Sequence, residues 1–395
     1  MMQTLIVIDN LRTGGVATSL KNFVRSASRE MEISLLVFND EETEKTEFPE
    51  NVRFLKPQKL LGIFGKRQKE IAAKSPLLAL YRGFLVVMAR LFGGRFSRRL
   101  LFPFVRVLRE RSYDLAVSFA NDDGYHSLTK GCNDFVIKKV RAKRKISFVH
   151  CDYENFGGYN PKQEKEYRPL DRIVCVSKSC KESFCRCFPT LSEKVVVCEN
   201  FIDVERVRRL SDDFPVPFSE GTVNFVTVCR ISEEKGLFRA ADAFARCAKR
   251  GKSRFTWTIV GDGPERERFA ACLSELGISD KVILVGEKKN PYPFIKGASV
   301  FLLPSFHEAA PMVFGESAAL GIPVLTTRTC SAEELIGARR LGWVTDNSEE
   351  GLAEGIAKIL DGEIILGRRE ATEDEINRHA RQQLADLLAS FSVGE

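Results

Sequence analysis

Short runs of apolar residues, near-continuous rather than alternating, recur along the chain, separated by stretches with helical spacing. In the first half the runs fall at residues 4–8, 32–38, 51–55, 113–119, 145–150, 171–176 and 194–198. In the second half they fall at 223–229, 255–260, 282–285, 300–303 and 324–326. Runs this short and this apolar predict strands buried on both faces, as in a parallel sheet covered by helices. Amphipathic segments between them predict crossover helices, among them 16–29, 177–188, 294–298 and a tail from residue 371. At 395 residues the chain exceeds one ordinary core and fits two domains. The alternation therefore predicts an α/β protein with two doubly wound, Rossmann-like parallel sheets. The expected division is 1–205, 206–370 and a C-terminal helix over 371–395. The proline-bearing stretch 211–221 reads as a linker, and the polar, Tyr- and Gly-rich stretch 152–168 as a flexible loop.

Residues 304–324 carry the strongest local signal. Pro311 suits the first turn of a helix, where a missing N–H costs nothing. Gly321 suits the residue just past its end, and Pro323 blocks continuation. The reading is strand, loop, short helix, strand, with the helix starting at the carboxyl end of a parallel strand, where open α/β sheets bind ligands. Amides around Pro311, Met312 and Val313, at the positive end of the helix dipole, favour an anion such as a diphosphate. Glu308 precedes those amides, and Glu316 lies about one and a half turns into the helix, on a side that can face the same crevice. Two carboxylates beside an anion site make poor phosphate ligands but good acceptors for sugar and ribose hydroxyls. The plainer alternative is a surface helix with two solvated carboxylates.

Five other residues, in three places, carry candidate chemistry. Arg230 and Lys235 sit on the loop after the 223–229 run, where a planar fork and a compact charge could share a diphosphate. Gly14 and Gly15 stand at a helix start, where a backbone can approach a phosphate without a Cβ in the way; a plain turn is the alternative. The pair lacks the third glycine of a dinucleotide fingerprint. His150 ends the 145–150 run at the expected ligand edge, or merely caps the strand.

The frame S-x-x-E-x-x-P-x-x-x-x-E-x-x-A-x-G-x-P-V over residues 305–324 resembles the E-x7-E signature of family 4 retaining glycosyltransferases, which have the GT-B fold. It departs from the usual pattern at Ala309, where the family has glycine. The R-x4-K-G of Arg230 to Gly236, the G-D-G-P of Gly261 to Pro264, the early Gly14–Gly15 pair and the V-S-K-S and N-F-I-D tetrapeptides at 176–179 and 200–203 also look like that family. The resemblance touches nearly the whole chain and is strong from about 223 to 326. It implies two Rossmann-like domains facing an interdomain cleft, an acceptor-side first domain, a donor-binding second domain, and a tail helix returning to the first. It also implies transfer of a hexose or N-acetylhexosamine from a nucleoside diphosphate, UDP being favoured, to a saccharide acceptor. In that reading Glu308 and His150 act at the donor sugar. Arg230 and Lys235 hold the diphosphate, Pro311 to Val313 assist through the helix end, Glu316 takes the ribose, and Gly14 and Gly15 approach the phosphates. No Asp-x-Asp pair ends a strand, so no metal and no cofactor is expected. A silent nucleotide-sugar-binding or membrane scaffold protein is the alternative outside catalysis. An NAD-linked oxidoreductase explains the sheets but not the four charged residues in register.

Charge adds a possible partner. The formal net charge is +7, and between Lys56 and Arg111 fourteen Lys or Arg stand against only Glu70 and Glu110. Leu77, Leu80, Phe84, Leu91, Phe92 and Phe96 interleave with them, which suits either an anionic membrane surface or a solvated basic face on ordinary amphipathic helices. Two helices are expected there. No nucleic-acid motif accompanies the charge. The expected location is the cytoplasm, free or peripheral at the inner face of the membrane, and a lipid-linked acceptor in surface polysaccharide synthesis fits by analogy. The 11 cysteines lack metal-ligand spacing and read as reduced thiols.

Overall fold

The computed structural model describes residues 1–12, 14–40, 45–64, 66, 68–120, 124–128, 130–218, 221–251 and 254–392. The chain forms two compact units, Met1–Phe201 with the segment from Ala380 on, and Ile202–His379. The passage at Phe201–Ile202 comes before the proline-bearing stretch 211–221. The helix Val204–Leu210, capped by the Asp203 side chain, already belongs to the second unit.

The first unit holds seven strands: β1 Met2–Asn10, β2 Met31–Asn39, β3 Arg53–Leu55, β4 Leu108–Ser118, β5 Val140–Val149, β6 Arg172–Cys175 and β7 Val195–Val197. Their order is β3-β2-β1-β4-β5-β6-β7, and every pair is parallel. The second unit holds β8 Val223–Val228, β9 Phe255–Val260, β10 Val282–Gly286, β11 Val300–Leu303, β12 Val324–Thr327 and β13 Gly342–Thr345. Their order is β10-β9-β8-β11-β12-β13, again parallel throughout. Both sheets are the doubly wound kind that the apolar runs predict.

The second sheet shows why its runs do not alternate. Phe225, Trp257, Leu302 and Leu325 pack on one face with Phe244, Leu352 and Ile356. Val226, Val260, Phe301, Leu303 and Val324 pack on the other with Ile295, Met312 and Phe314. Both faces are dry, so every position of a central strand is apolar.

Several elements differ from the sequence reading. The basic region forms three α-helices, Gln68–Lys74, Pro76–Phe92 and Gly94–Leu101, because Gly93 and Gly94 divide the last two. β5 starts at Val140, and its early part carries Arg141, Lys143 and Lys145, which hide that part of the strand from an apolar search. β13 is an edge strand, half-buried throughout, and leaves no apolar run. The stretch 152–168 is no open loop. Tyr153 and Tyr167 are fully buried, their hydroxyls 2.6 Å apart, among the rings of Phe184 and Phe188. Tyrosine there supplies core area while its polar tip finds a partner.

The C-terminal helix Glu373–Ser392 contributes to both units. In the second, Asn377 accepts from the Ile202 N–H at 2.9 Å and donates to the Ile202 carbonyl at 2.8 Å. In the first, the Glu199 N–H donates to the Gln383 side-chain oxygen at 2.8 Å. No helix among the described residues is long and apolar enough to cross a membrane.

Candidate active site

In the second sheet the strand order reverses between β8 and β11. Helices leave these two strands on opposite faces, so a crevice opens outside their carboxyl ends. Arg230 and Lys235 follow β8, and Glu308 follows β11. The topology thus brings together residues that are more than seventy positions apart.

A small set of contacts fixes the two loops to each other. Lys235 Nζ donates to Glu308 Oε1 at 2.6 Å. The Phe306 N–H donates to the Glu234 carbonyl at 2.9 Å. Arg239, buried in the helix Leu237–Lys249, donates to the Pro304 carbonyl at 2.7 Å and to the Ser305 carbonyl at 2.9 Å. The exposed ring of Phe306 lies over that guanidinium, 3.9 Å from centroid to carbon. Gly236 makes the approach possible: its φ is 64°, and a Cβ there would collide with the Pro304 carbonyl oxygen. The G-D-G-P turn is also structural, since a Cβ on Gly261 would strike the Cys229 carbonyl oxygen.

Glu308 is half-buried and accepts a second hydrogen bond from Ser305 Oγ at 2.7 Å. Burial by itself would depress the Lys235 ammonium, but the Glu308 carboxylate outweighs it and raises the pKa above its ordinary value. Lys235 therefore stays a cation, and the pair is ionic. Arg230 is exposed near the start of the same loop. The two cations thus differ: Lys235 is engaged with Glu308, whereas Arg230 reaches solvent.

Pro311 has extended backbone and stands just before the helix Met312–Ala319. No side chain caps that helix and its first turn holds no acid, so its leading amides are not taken by a carboxylate of their own. Gly321 follows the helix end with φ 69°, as the Gly–x–Pro spacing predicts. Ala309 does not have a positive φ, since Arg340 is the one non-glycine residue that does among those described. The backbone here accepts alanine without strain.

Glu316 is buried on its helix, 5% exposed. Its Oε1 accepts from the Tyr292 hydroxyl at 3.1 Å. Burial pushes its pKa up to about 7, against the opposing Tyr292 hydrogen bond and the Arg206 charge. Burial likewise raises the Tyr292 phenol, and the neighbouring Glu316 charge adds to it. Glu308 and Glu316 therefore have different surroundings: one is held by a cation, the other by a neutral donor in a dry setting.

The first unit carries the remaining candidates. Gly14 and Gly15 are exposed at the start of the helix Gly15–Ala27, after β1, and a Cβ on Gly15 would meet nothing within 4 Å. Internal packing thus does not require Gly15. The helix is tied down by Ser19, which donates to the Asn200 side-chain oxygen at 2.6 Å, and by Asn22, which donates to the Phe201 carbonyl at 2.8 Å. His150 follows β5, its ring 5.0 Å from that of Phe119. Burial pushes its pKa down to about 3, Lys130 pushes the same way, and a hydrogen bond at the Phe119 backbone opposes them. The imidazole is neutral at physiological pH, able to exchange hydrogen bonds but not to bring a positive charge to a phosphate.

Sequence reasoning assigned no role to Ser305, Arg239 or Tyr292. Ser305 stood in the quoted frame three residues before Glu308, which was the available signal. Arg239 and Tyr292 are distant in sequence from what they hold and left none. Among the described residues no group of three or more His, Cys, Asp or Glu is placed to hold a metal ion.

Comparison with known proteins agrees with this architecture. Residues 13–206 match the family model Glycosyltransferase Family 4, and residues 209–382 match Glycosyl transferases group 1. The chain is 27% identical over 252 residues to a putative colanic acid biosynthesis glycosyltransferase of Salmonella typhimurium, covering 59% of this chain and 60% of that protein. It is 26% identical over 204 residues, 49% of this chain and 52% of that one, to a Campylobacter jejuni N-acetylgalactosaminyltransferase named for a diphospho-undecaprenol acceptor. The chain thus spans about half to three-fifths of the length of these curated relatives. A solved structure of Anabaena HepE with UDP and glucose superposes with a TM-score of 0.66 at 16% identity, over 99% of this chain and 100% of that one, which is a likeness of fold. With two family models that between them run from residue 13 to residue 382, and with two parallel sheets of the GT-B type, this chain belongs to glycosyltransferase family 4.

Proposed function

We propose that the protein is a retaining glycosyltransferase that moves a hexose or N-acetylhexosamine from a UDP-sugar to a saccharide acceptor in surface polysaccharide synthesis. The observation that carries this reading is the Lys235–Glu308 ion pair across the β8–β11 switch point, with Arg230 exposed on the same loop as Lys235. Lys235 keeps donor capacity beyond its bond to Glu308, and Arg230 offers a fork, so together they suit a diphosphate. Glu308, fixed by Lys235 and Ser305, retains Oε2 as an acceptor for sugar hydroxyls. The leading amides of the Met312–Ala319 helix suit the phosphates through the helix dipole. Glu316, once ionised, suits the ribose hydroxyls. His150, Gly14 and Gly15 are assigned to the donor sugar and phosphates from the first unit.

In the reaction the bond from the anomeric carbon to the diphosphate oxygen breaks, and its electron pair leaves with UDP. The acceptor oxygen bonds to the same face of that carbon, and its proton passes to the departing phosphate oxygen. The cations offset charge as it builds on the leaving group, an interaction worth roughly 2.7–4 kcal/mol when it is made in the transition state.

The acceptor is proposed to be lipid-linked, with the basic region 56–111 touching an anionic membrane surface from the cytoplasmic side. This is supported by the exposed Leu77, Leu80, Phe84, Leu91 and Phe92 of the Pro76–Phe92 helix, which stand among cations. A thermal-shift panel of nucleotide sugars tests the donor, because a ligand stabilises the folded state by mass action. UDP-sugars are expected to raise the melting temperature. No response to any nucleotide sugar would remove the reading, and tight UDP binding without turnover or donor hydrolysis would favour a silent binding protein instead.

A further inference from the structure

Of the two carboxyls after β11, only one has a cation. Glu308 is bonded to Lys235 and Ser305. Glu316 is more deeply buried, and the Tyr292 hydroxyl is the one hydrogen-bond partner that its side chain has among the described residues. Tyr292 is itself buried and opens the short helix Tyr292–Gly297 after β10. Its N–H donates to Asn290 Oδ1 at 3.1 Å, and Asn290 donates to the Leu210 carbonyl at 2.8 Å, so the ring enters from a loop that is tied down.

The other charged groups around the pair come mainly from the helix Val204–Leu210, which packs beside Met312–Ala319. Arg206 acts on Glu316 through its charge, with no ion pair between them. Asp203 acts on Tyr292 by charge, and its side chain accepts from the Arg206 N–H at 3.0 Å. Arg208 is turned to the Ala319 carbonyl at 3.1 Å and to Glu370 at 3.3 Å. Lys296, on the helix of Tyr292, pairs with Asp212. Burial of Glu316 is thus offset by one neutral hydroxyl and one unbonded charge, and its pKa rises to about 7.

The direction of the Tyr292 bond decides where the acid proton sits. A neutral carboxyl has one oxygen that donates and one that only accepts. The phenol donates to Oε1, so Oε1 is the acceptor and the proton stands on Oε2. The phenol keeps its own proton, because burial and the Glu316 charge both raise its pKa. Oε2 is also the oxygen left for a ligand. A vicinal diol brings two O–H donors, which bond about twice as strongly to a carboxylate as to a neutral oxygen. Diol and proton therefore compete for one atom.

We propose that Glu316 is a neutral acid in the empty site and releases its proton to solvent when a ribose diol binds, with Tyr292 as the positioning residue that holds Oε1 and leaves Oε2 to the diol. The O–H bond of the carboxyl breaks, its electron pair stays on the carboxylate, the proton passes to water, and the ribose hydroxyls donate to the freed oxygen. The proposal rests on the glycosyltransferase reading, which assigns the ribose to Glu316. It adds that nucleotide uptake is coupled to proton release and weakens as the medium becomes acidic.

The test uses the full chain and two probes, UDP and 2′,3′-dideoxy-UDP, which share base and phosphates and differ only in the diol. Calorimetry between pH 6 and pH 8, in buffers of different ionisation heat, reads affinity and proton release together. At pH 6 the wild type is expected to release about one proton more with UDP than with the dideoxy probe. The ratio of the two affinities is expected to fall roughly tenfold from pH 8 to pH 6. Glu316→Gln has no acid proton, so it should show no extra release and a ratio that does not change with pH. Tyr292→Phe should move the midpoint of the fall to higher pH, which a loss of packing alone would not do. In the infrared, the neutral-acid band that Glu316→Gln removes should also disappear when UDP is added to the wild type at pH 6.

Equal proton release with both probes, or a fall that persists in Glu316→Gln, would overturn the proposal. An unmoved midpoint in Tyr292→Phe would overturn the role given to Tyr292. If neither probe binds at any pH, the glycosyltransferase reading fails and the proton exchange falls with it. If both bind with parallel pH profiles, the proton exchange fails alone.

Discussion

The two sheets share one strand order across six strands, yet the loops at their switch points are built in opposite ways. In the second sheet the loops after β8 and β11 are bound to each other by an ion pair, a backbone hydrogen bond, a buried guanidinium and a glycine that permits close contact. At the corresponding edge of the first sheet, among the described residues, Gly14 and Gly15 are exposed, and a cavity lined by several cations lies beside β1. One edge is fixed in advance, which suits a ligand whose charged middle never varies. The other presents glycine backbone and a hollow lined by cations, which suits a partner of variable shape. Pre-organisation costs the protein conformational freedom, so it belongs where the same geometry is needed every time.

The largest effect is expected from breaking the fixed edge. Lys235→Ala should lower turnover roughly 10²–10³-fold, because it removes the proposed diphosphate ligand and leaves Glu308 half-buried without its cation. A kcat within a few-fold of wild type in a steady-state assay would break the comparison.

Next comes the pH dependence of the same unit. The Glu316 pKa is raised to about 7 from an ordinary 4.5, so the folded state keeps a proton that the unfolded chain releases. Stability from this group is full below 4.5 and is lost as pH rises through about 7, by at most on the order of 3 kcal/mol. Urea unfolding on either side of that window should show the decline in the wild type and a flatter profile in Glu316→Gln. Parallel profiles would mean that Glu316 ionises without cost.

Gly236→Ala should destabilise the protein by roughly 1–3 kcal/mol from the left-handed backbone alone, with the collision at Pro304 in addition. Tyr292→Phe should cost about 1 kcal/mol and raise the Glu316 pKa further, since it removes the donor that favours the carboxylate. Both are read from chemical denaturation, and a neutral Gly236→Ala would show that the two loops are less tightly joined than the contacts require.

The smallest effect on stability belongs to the first unit. Leu80→Ser with Leu91→Ser should change unfolding by less than about 0.5 kcal/mol per site, because both side chains already stand in solvent. A large loss would mean that these exposed positions are part of the core, and the contrast between the edges would fail.

The sequence by itself determined the strands of both sheets except β13, most of them to within a few residues, with the helix over Met312–Ala319 and its ending at Gly321. These rest on local physics: a strand buried on both faces must be apolar throughout, and a left-handed residue past a helix end favours glycine. It also named Lys235 and Glu308 as neighbours, because the strand–loop–helix repeat delivers them to one edge. What it could not give is who bonds to whom. Lys235 meets Glu308 because β8 lies beside β11, a pairing of strands with two others between them in sequence. Glu316 takes up a proton near neutrality because the surrounding core excludes water, against the Tyr292 hydrogen bond, and burial of that kind is a sum over distant segments. Tyr153 and Tyr167 stand in a stretch whose polarity suggests a solvent-facing loop, and only the packing around Phe184 and Phe188 draws them inside. Periodicity reports which face of an element is dry; the partner that dries it, and the charge it tolerates there, are set by the tertiary arrangement.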